Sequence, residues 1–374
     1  MNKVKLADVA IESRESLKTK HSTLPVVGLE HIIPEQINLT EWDVGVDNTF
    51  TKIFKKNDVL FGRRRAYLKK AAVAPCEGIC SGDITVIRAK EDKILPELLP
   101  FVIQNDIFFD YAVGKSAGSL SPRVKWEHLA NYEFNLPSLS EQKKLAETLW
   151  SIVATMESYK KLLAKTDEMI KAKFVEMFGD PVTNEKKLLT MKMNKVAPSE
   201  SSNSEIEKVD NKVWLLNLDM IESNTGIVIN KVYVNESEIG SSVCKFDTSN
   251  VLYSKLRPYL NKVITPDTTG YATTELIPLK PNQEILRRKF LEILLRHNSF
   301  VNYINSKTAG TKMPRVSMDV FRNFDVIIPE LRDQDTFIDF VQKSKESESA
   351  IQSSLDSLTQ VYKKIIAENL RGNE

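Results

Sequence analysis

The sequence predicts an α+β protein of two tandem mixed α/β modules, each followed by a long helix, with the two helices paired as an antiparallel coiled coil. A chain of 374 residues with 42% hydrophobic content can bury more than one core. The two halves contain related segments, and each half ends in a long stretch of heptad-like apolar spacing. The predicted boundaries are residues 1–138 and 181–330 for the modules, and 139–180 and 331–374 for the helices.

A constant offset of 192 residues aligns two segments of the first half with two of the second. Residues 58–70 (DVLFGRRRAYLKK) and 250–262 (NVLYSKLRPYLNK) agree at six of 13 positions. Residues 115–124 (KSAGSLSPRV) and 307–316 (KTAGTKMPRV) agree at six of ten positions. Average residue usage predicts roughly one match in fifteen. The pattern therefore indicates a tandem duplication, because an array would need at least three copies of a shorter unit.

The two modules share a frame but diverge elsewhere. Upstream, residues 27–32 fit residues 216–221 at an offset of 189, which a short insertion explains. Between the matched segments, residues 80–90 (CSGDITVIRAK) have little in common with residues 271–281 (YATTELIPLKP). We therefore expect the modules to have one backbone and two different surfaces.

Within each module the pattern is mixed. Short β-branched or alternating runs predict strands at residues 59–61, 84–89 and 326–329. Residues 98–112 have helical periodicity.

The apolar residues of the two long helices recur in alternating steps of four and three. The first helix begins with the capping-box spacing of Ser138 and Glu141 and ends at Gly179 and Pro181. A helix of about 39 residues is roughly 58 Å long. Pairing with each other is the favoured interpretation, and packing of each helix on its own module is the alternative. The residues predicted to pair are Leu149, Ile152, Met156, Tyr159, Leu163, Ile351, Leu355, Leu358 and Tyr362.

Composition and motifs argue against several classes of protein. No apolar run reaches the roughly 20 residues of a membrane-spanning helix, and the N-terminus lacks the apolar core of a signal peptide, so we expect a cytoplasmic protein. The three cysteines, Cys76, Cys80 and Cys244, match neither a disulfide framework nor a zinc-ligand pattern. No metal site is predicted.

Catalytic motifs are also missing from the sequence. There is no Asn/Asp-Pro-Pro-Tyr/Phe segment of the kind that adenine methyltransferases use, and no Gly-x-Gly-x-x-Gly loop. Asp267 and Glu275 have the order of a nuclease site, but Ile277 stands where such a site needs lysine. We therefore predict no catalytic residue and no bound cofactor.

The whole arrangement resembles the specificity subunit of type I restriction-modification systems. Two variable modules are each followed by a long helix that LPSLSEQ (136–142) or IPELRDQ (328–334) introduces, and each module carries an AGxxxPRV loop. The resemblance covers nearly the whole chain. It implies that the modules are target recognition domains and that the helices are spacers.

The resemblance also implies a ligand and partners. The ligand would be double-stranded DNA, read as an asymmetric bipartite site whose halves lie about one helical turn, roughly 34 Å, or a small multiple apart. The partners would be modification (methyltransferase) subunits, two of them in our prediction, and ATP-dependent restriction subunits. S-adenosylmethionine and ATP would bind those partners, so this chain would be a non-catalytic subunit without a cofactor.

The residues predicted to contact DNA lie in the two repeated segments. Arginine can fork onto guanine O6 and N7 or onto phosphate. In the second segment, Gly118 and Gly310 allow another surface to approach the backbone closely. The predicted contacts are Arg63, Arg64, Arg65, Tyr67, Lys69, Lys115, Ser116 and Arg123 in the first half, and Lys255, Arg257, Tyr259, Lys307, Thr308 and Arg315 in the second.

Each prediction has an alternative. Residues 52–70 carry eight basic side chains against a single acid, Asp58, but a solvated strand edge with a packed tyrosine explains the same pattern. Arg123 and Arg315 are either phosphate contacts or braces for the helix that follows. For the whole chain, the main alternative function is a protein–protein scaffold on a coiled coil, and a second is an enzyme with an unrecognised active site.

Overall fold

A computed structural model describes residues 2–17, 23–309 and 313–372. The chain divides into two compact units. Unit 1 comprises Met1–Lys161 with Ile351–Glu374, and unit 2 comprises Leu162–Ala350. The two long helices are Leu139–Phe178, called the central helix, and Leu331–Asn369, called the C-terminal helix. Each of them contributes residues to both units.

Unit 1 contains a four-stranded sheet, a three-stranded sheet and a separate antiparallel pair. The pair joins Asn2–Lys5 to Glu133–Leu136. The four-stranded sheet has the order Ala10–Glu12, Ile84–Ala89, Val59–Gly62, Ala71–Val73, and the three-stranded sheet has the order Val26–Val27, Gly78–Cys80, Lys52–Phe54. The short helices are Leu6–Val9, Leu99–Ile103, Asp106–Gly114 and Trp126–Leu129, with 3₁₀ turns at Leu29–His31 and Ala66–Leu68.

Unit 2 repeats this plan with additional strands. Thr190–Lys192 pairs with Asp325–Ile327. One sheet has the order Val263–Ile264, Val251–Ser254, Leu276–Leu279, and a larger one has the order Lys208–Val209, Lys212–Leu216, Gly270–Thr273, Val243–Phe246, with Val232–Val234 also paired to Lys212–Leu216. A short pair joins Thr308–Ala309 to Arg315–Val316. The short helices are Met193–Val196, Arg288–Arg296, Asn298–Asn305 and Met318–Arg322, with 3₁₀ turns at Leu218–Met220, Glu236–Glu238 and Pro258–Leu260.

In unit 1, the start of the central helix and the end of the C-terminal helix share one core. Leu149 and Val153 are buried in the same hydrophobic cluster as Ile366 and Leu370. Phe101 of the module joins them, because its ring lies 5.0 Å from that of Trp150 and 6.1 Å from that of Tyr362. The two helix segments are therefore antiparallel and pack on the module together.

In unit 2, the end of the central helix meets the start of the C-terminal helix. The Phe174 and Phe178 rings lie 5.6 and 5.5 Å from the Phe337 ring. Farther along the same helices, Lys345 Nζ lies 3.4 Å from Asp167 Oδ1. The predicted α+β class with antiparallel pairing of the long helices is confirmed.

The predicted pairing residues are buried to different degrees. Leu149 and Leu355 are buried, whereas the others are half-buried: Ile152, Met156, Tyr159, Leu163, Ile351, Leu358 and Tyr362. Ala146 and Val153 are buried although the heptad pattern did not select them. Both helices face a module as well as each other, so the apolar face is wider than a two-residue heptad stripe.

The 192-residue offset also holds in the sheets. The strands Val59–Gly62 and Ile84–Ala89 correspond to Val251–Ser254 and Leu276–Leu279. The offset of Ile84 to Leu276 is 192, so the comparison of residues 80–90 with 271–281 in the sequence analysis was one residue out of register.

Two further features refine the sequence interpretation. The helical stretch 98–112 is two helices, Leu99–Ile103 and Asp106–Gly114, because Asn105 is extended and its side chain accepts a hydrogen bond from Ile107 N. Of the helices in the described residues, none is long and apolar enough to cross a membrane.

Candidate nucleic-acid interface

A one-turn loop connects two antiparallel strands in each unit, Val59–Gly62 to Ala71–Val73 in unit 1 and Val251–Ser254 to Val263–Ile264 in unit 2. We call residues 63–69 and 255–261 the arginine loops. In each loop a 3₁₀ turn, Ala66–Leu68 or Pro258–Leu260, lies between two left-handed residues.

The left-handed residues are not glycines. Their φ angles are 55° at Arg65 and 50° at Lys69 in unit 1, and 48° at Arg257 and 50° at Asn261 in unit 2. This conformation costs a non-glycine residue about 1–3 kcal/mol, and it persists only where the surrounding structure enforces it. Arginine therefore occupies the same strained position in both loops.

A second segment in each unit holds the arginine loop by main-chain hydrogen bonds. We call residues 115–124 and 307–316 the PRV loops. Arg65 N donates to Pro122 O over 2.8 Å, and Val124 N donates to Arg63 O over 3.0 Å. The equivalent bonds in unit 2 run from Arg257 N to Pro314 O (2.8 Å) and from Val316 N to Lys255 O (2.9 Å). The two repeated sequence segments are thus neighbours in each unit.

An acidic residue lies at the junction of the two loops. In unit 1, Asp83 accepts from Arg123 Nε over 2.8 Å, and Arg64 Nη1 lies 3.4 Å from the same carboxylate. The hydrogen bond from Arg123 lowers the pKa of the Asp83 carboxyl below its ordinary value, and burial opposes this shift in part. The acid is therefore ionised at neutral pH and neutralises part of the local positive charge.

Unit 2 has the same arrangement with a longer acid. Arg315 Nη2 donates to Glu275 Oε1 over 3.1 Å, and Arg315 Nε lies 3.4 Å from Glu275 Oε2. The main-chain frame also matches: Arg63 N donates to Asp83 O, and Lys255 N donates to Glu275 O. Asp83 and Glu275 are separated by the repeat offset of 192.

Neither acid was predicted as a site residue. Glu275 was considered only as part of a rejected nuclease pattern, and the surrounding residues were compared one position out of register. The 192-residue offset that aligns the arginine loops also aligns Asp83 with Glu275. This matched pair of acids was the feature of the sequence that could have predicted the site.

The exposed part of each arginine loop consists of an arginine and a tyrosine. Arg65 and Arg257 are exposed, and within the described residues neither guanidinium has a hydrogen-bond or ion-pair partner. Tyr67 is 54% exposed and Tyr259 is 50% exposed. Both copies therefore present the same cationic and aromatic pair to solvent.

The PRV loops supply further polar groups. Lys115 and Lys307 are exposed, and Lys115 Nζ lies 5.7 Å from the centre of the Tyr111 ring. The hydroxyls of Ser116 and Thr308 donate to the main-chain oxygens of the preceding helices, so they already have a local acceptor. Gly118 has a φ of 113°, which favours glycine, whereas Gly310 lies outside the described residues.

Much of the basic stretch 52–70 is engaged inside unit 1. Lys52 and Lys70 donate to the main-chain oxygens of Ile84 and Leu29. Lys69 Nζ lies 2.5 Å from Asp106 Oδ1, which raises the pKa of this lysine. A count of basic residues therefore overstates the free positive charge.

The flanking residues of the loop differ between the units. Arg63 is half-buried, and its Nε has no hydrogen-bond partner among the described residues. Lys255 and Leu256 occupy the positions that Arg63 and Arg64 hold in unit 1. In the described ranges, no group of three or more His, Cys, Asp or Glu side chains is placed to hold a metal ion.

Two sequence comparisons agree with the predicted resemblance. Residues 1–166 match the family model of the type I restriction modification DNA specificity domain. The chain is 23% identical over 292 residues to the type I restriction enzyme EcoDI specificity subunit of Escherichia coli. That alignment takes in 68% of this chain and spans 65% of the length of the relative, slightly less than two thirds.

Two solved structures have a similar fold. One, described as the structural basis of complex assembly and conformational transition of the type I R-M system, has a TM-score of 0.61 at 18% identity, covering 98% of this chain and 97% of that chain. The type I restriction-modification S subunit from M. genitalium has a TM-score of 0.58 at 11% identity, covering 99% and 96%. This chain is therefore similar to the type I restriction modification DNA specificity domain over residues 1–166, and its fold is similar to those of the two solved structures.

Proposed function

We propose that this chain selects the DNA sequence on which a type I restriction-modification complex acts. The observation that carries the proposal is the matched pair of arginine loops. Each presents an exposed arginine and an exposed tyrosine, Arg65 with Tyr67 and Arg257 with Tyr259, at a 3₁₀ turn that two left-handed residues flank. Arginine can donate two parallel hydrogen bonds to guanine or to phosphate.

Each unit would read one half of a bipartite site. The shared residues of the loops would set the same approach to DNA, and the residues that differ would give each half its own sequence. Arg64 in unit 1 is Leu256 in unit 2, and Arg63 is Lys255. These exchanges change the number of hydrogen-bond donors beside the loop, so the two half-sites would differ.

The lysines of the PRV loops would position the DNA, and three other predicted contacts would hold the loops in place. Lys115 and Lys307 are exposed cations on the PRV loops and would contact phosphates. Lys69, Ser116 and Thr308 have internal partners, so their contribution would be to hold the loops.

Methylation and cleavage would be carried out by partner subunits. The relative is named as the specificity subunit of a restriction enzyme, and one of the two similar structures concerns complex assembly of the type I R-M system. We infer that this chain is non-catalytic and that it docks modification subunits, two in our proposal, and restriction subunits. The S-adenosylmethionine and ATP that such systems consume would bind those partners.

The proposal is tested by mapping DNA methylation. This chain would be co-expressed with the modification subunit of its own host in a strain without DNA methylation, and modified bases would be located by single-molecule sequencing. We expect an asymmetric two-part adenine motif that depends on this chain. If the modification subunit methylates the same motif alone, or if a soluble complex methylates nothing, the proposal is wrong.

Variants separate DNA reading from a scaffold role. The double variant Arg65→Gln, Arg257→Gln should lose the motif, because both exposed arginines are removed. Lys56→Gln is the matched control, since Lys56 is exposed in the same basic stretch but at the other end of the strand Val59–Gly62. For the purified complex with the modification subunit, log Kd for DNA should rise with log salt by about 0.9 per phosphate contact. If the chain were only a protein–protein scaffold, the complex would show no such dependence of Kd for DNA on salt.

A further inference from the structure

We infer that Asp83 and Glu275 are positioning residues that orient Arg123 and Arg315 for contact with a base edge, one in each half-site; this inference rests on the proposed function. In the sequence the two acids lie outside both repeated segments. In the structure they are the point where the arginine loop and the PRV loop of each unit meet.

The geometry leaves most of each guanidinium available. Arg123 contacts Asp83 through Nε at 2.8 Å and through Nη2 at 3.4 Å. Arg315 contacts Glu275 through the same two nitrogens, at 3.4 and 3.1 Å. A guanidinium has five N–H donors, so about three remain on the side away from the acid. Those donors match the two acceptors, O6 and N7, of guanine in the major groove.

Stability alone does not explain the recurrence of these pairs. The side chains of Arg123 and Arg315 are 44% and 50% exposed, and those of Asp83 and Glu275 are 23% and 25% exposed. Ion pairs this open to solvent contribute little to folding. An acid beside a DNA-binding loop also repels phosphates and so weakens binding to DNA of any sequence.

Each acid holds the side chain of its arginine in one orientation. A free arginine loses side-chain freedom when it binds, whereas an arginine already held in its bound direction loses less. A held arginine also cannot turn to an alternative acceptor as easily. The pair therefore favours the correct base over phosphate and over other bases, at the expense of affinity for non-specific DNA.

The test maps methylation for variants of the acids in the complex with the modification subunit. Asp83→Asn keeps the size of the side chain and removes its charge, and Glu275→Gln does the same in unit 2. We expect Asp83→Asn to raise the methylation of sites with one mismatch in one half of the motif by about fivefold or more, the lower range for a bidentate base contact. Glu275→Gln should relax the other half.

Conservative variants and melting curves supply the controls. Asp83→Glu and Glu275→Asp keep the charge, and each acid is the natural residue in the other unit, so both variants should retain the wild-type motif. Thermal melting of each complex should stay close to that of the wild type. A purely structural role would lower the melting temperature and reduce methylation at all sites equally.

Three outcomes for the variants of the acids would overturn the inference: uniform loss of methylation, relaxation of both halves by one variant, or an unchanged motif in both Asp83→Asn and Glu275→Gln. Failure of the proposed function is distinguishable, because the wild-type chain would then direct no bipartite motif at all. Uniform weakening by Arg123→Lys and Arg315→Lys, with the motif intact, would assign these arginines to phosphates and would also overturn it.

Discussion

The sequence LPSLSEQ introduces the central helix through a buried glutamine. Gln142 is 1% exposed, and its side chain makes three hydrogen bonds to the main chain. Its Oε1 accepts from Leu95 N over 2.9 Å, and its Nε2 donates to Pro137 O over 3.0 Å and to Lys93 O over 3.3 Å. The glutamine therefore fixes the start of the helix to the module. Replacing Gln142 with alanine tests this role.

The expected cost follows from the bonds that are lost. A net hydrogen bond contributes about 1 kcal/mol, and a buried donor without a partner costs about 1–3 kcal/mol. Two of the three bonds have good lengths, and the third is long. Gln142→Ala should therefore lower the free energy of opening unit 1 by about 3 kcal/mol. Backbone amides that exchange with solvent only when unit 1 opens should then exchange about 100-fold faster.

Hydrogen exchange measured by mass spectrometry reads this effect unit by unit. Gln142→Ala should accelerate exchange in peptides of unit 1 and leave unit 2 unchanged. Gln334→Ala should do the reverse, because Gln334 accepts from Arg287 N over 2.8 Å and donates to Pro329 O and Ile285 O over 2.8 and 2.9 Å. The exposed Gln352 is the control, since Gln352→Ala should change neither unit. An acceleration below about fivefold in unit 1 would refute the reasoning, because that corresponds to about 1 kcal/mol.

Two further predictions concern the loops. Tyr67→Ala and Tyr259→Ala remove half-exposed side chains, so each should change the free energy of unfolding by less than about 0.5 kcal/mol. The affinity of the complex for DNA, measured by fluorescence anisotropy, should fall by about fivefold or more. An unchanged Kd would contradict the proposed interface. The hydrogen bond from Arg123 lowers the pKa of Asp83, so the stabilisation by this acid is complete above its unfolded pKa of about 3.9 and is lost as the pH falls through the lower folded pKa. In acid titrations followed by circular dichroism, Asp83→Asn should therefore lose slightly less stability than the wild type as the pH falls below about 3.9, and a larger loss in the variant would argue against the pair.

Periodicity and repetition were sufficient to predict the main elements. The predicted helices at 139–180 and 331–374 are observed as Leu139–Phe178 and Leu331–Asn369. The strands predicted at 59–61 and 84–89 are Val59–Gly62 and Ile84–Ala89. Long apolar stripes and matched strands are regular over many residues, so single exceptions do not obscure them.

The break within residues 98–112 was not predicted, because the apolar spacing continues across it. Asn105 interrupts the helix by capping the next one, and His297 accepts from Ser299 N in the same way in unit 2. The strand Val232–Val234 of unit 2 has no counterpart among the strands described in unit 1. It lies upstream of the matched loops, where the offset falls from 192 to 189 and the sequence of one half no longer predicts that of the other.

The site was only partly predicted, because a residue can be identical in the two copies for two different reasons. Shared residues such as Val59, Leu60 and Lys70 are explained by packing: the first two are buried, and the Lys70 side chain donates to a main-chain oxygen. Their counterparts in unit 2 do the same, with Lys262 donating to Leu218 O over 2.7 Å. Sequence alone cannot separate such residues from functional ones.

Solvent exposure distinguishes the candidate functional residues from the residues that are shared because of packing. Arg65 and Tyr67 are identical to Arg257 and Tyr259, yet all four side chains reach solvent, and the two arginines adopt an unfavourable left-handed backbone. Packing gives no reason for this identity, which supports the proposal that both loops contact DNA. The neighbouring positions, where the copies differ, would then carry the difference between the half-sites. Exchanging Arg64 for leucine, the residue of unit 2, should therefore alter the half-site read by unit 1 and leave the other half intact in the methylation map.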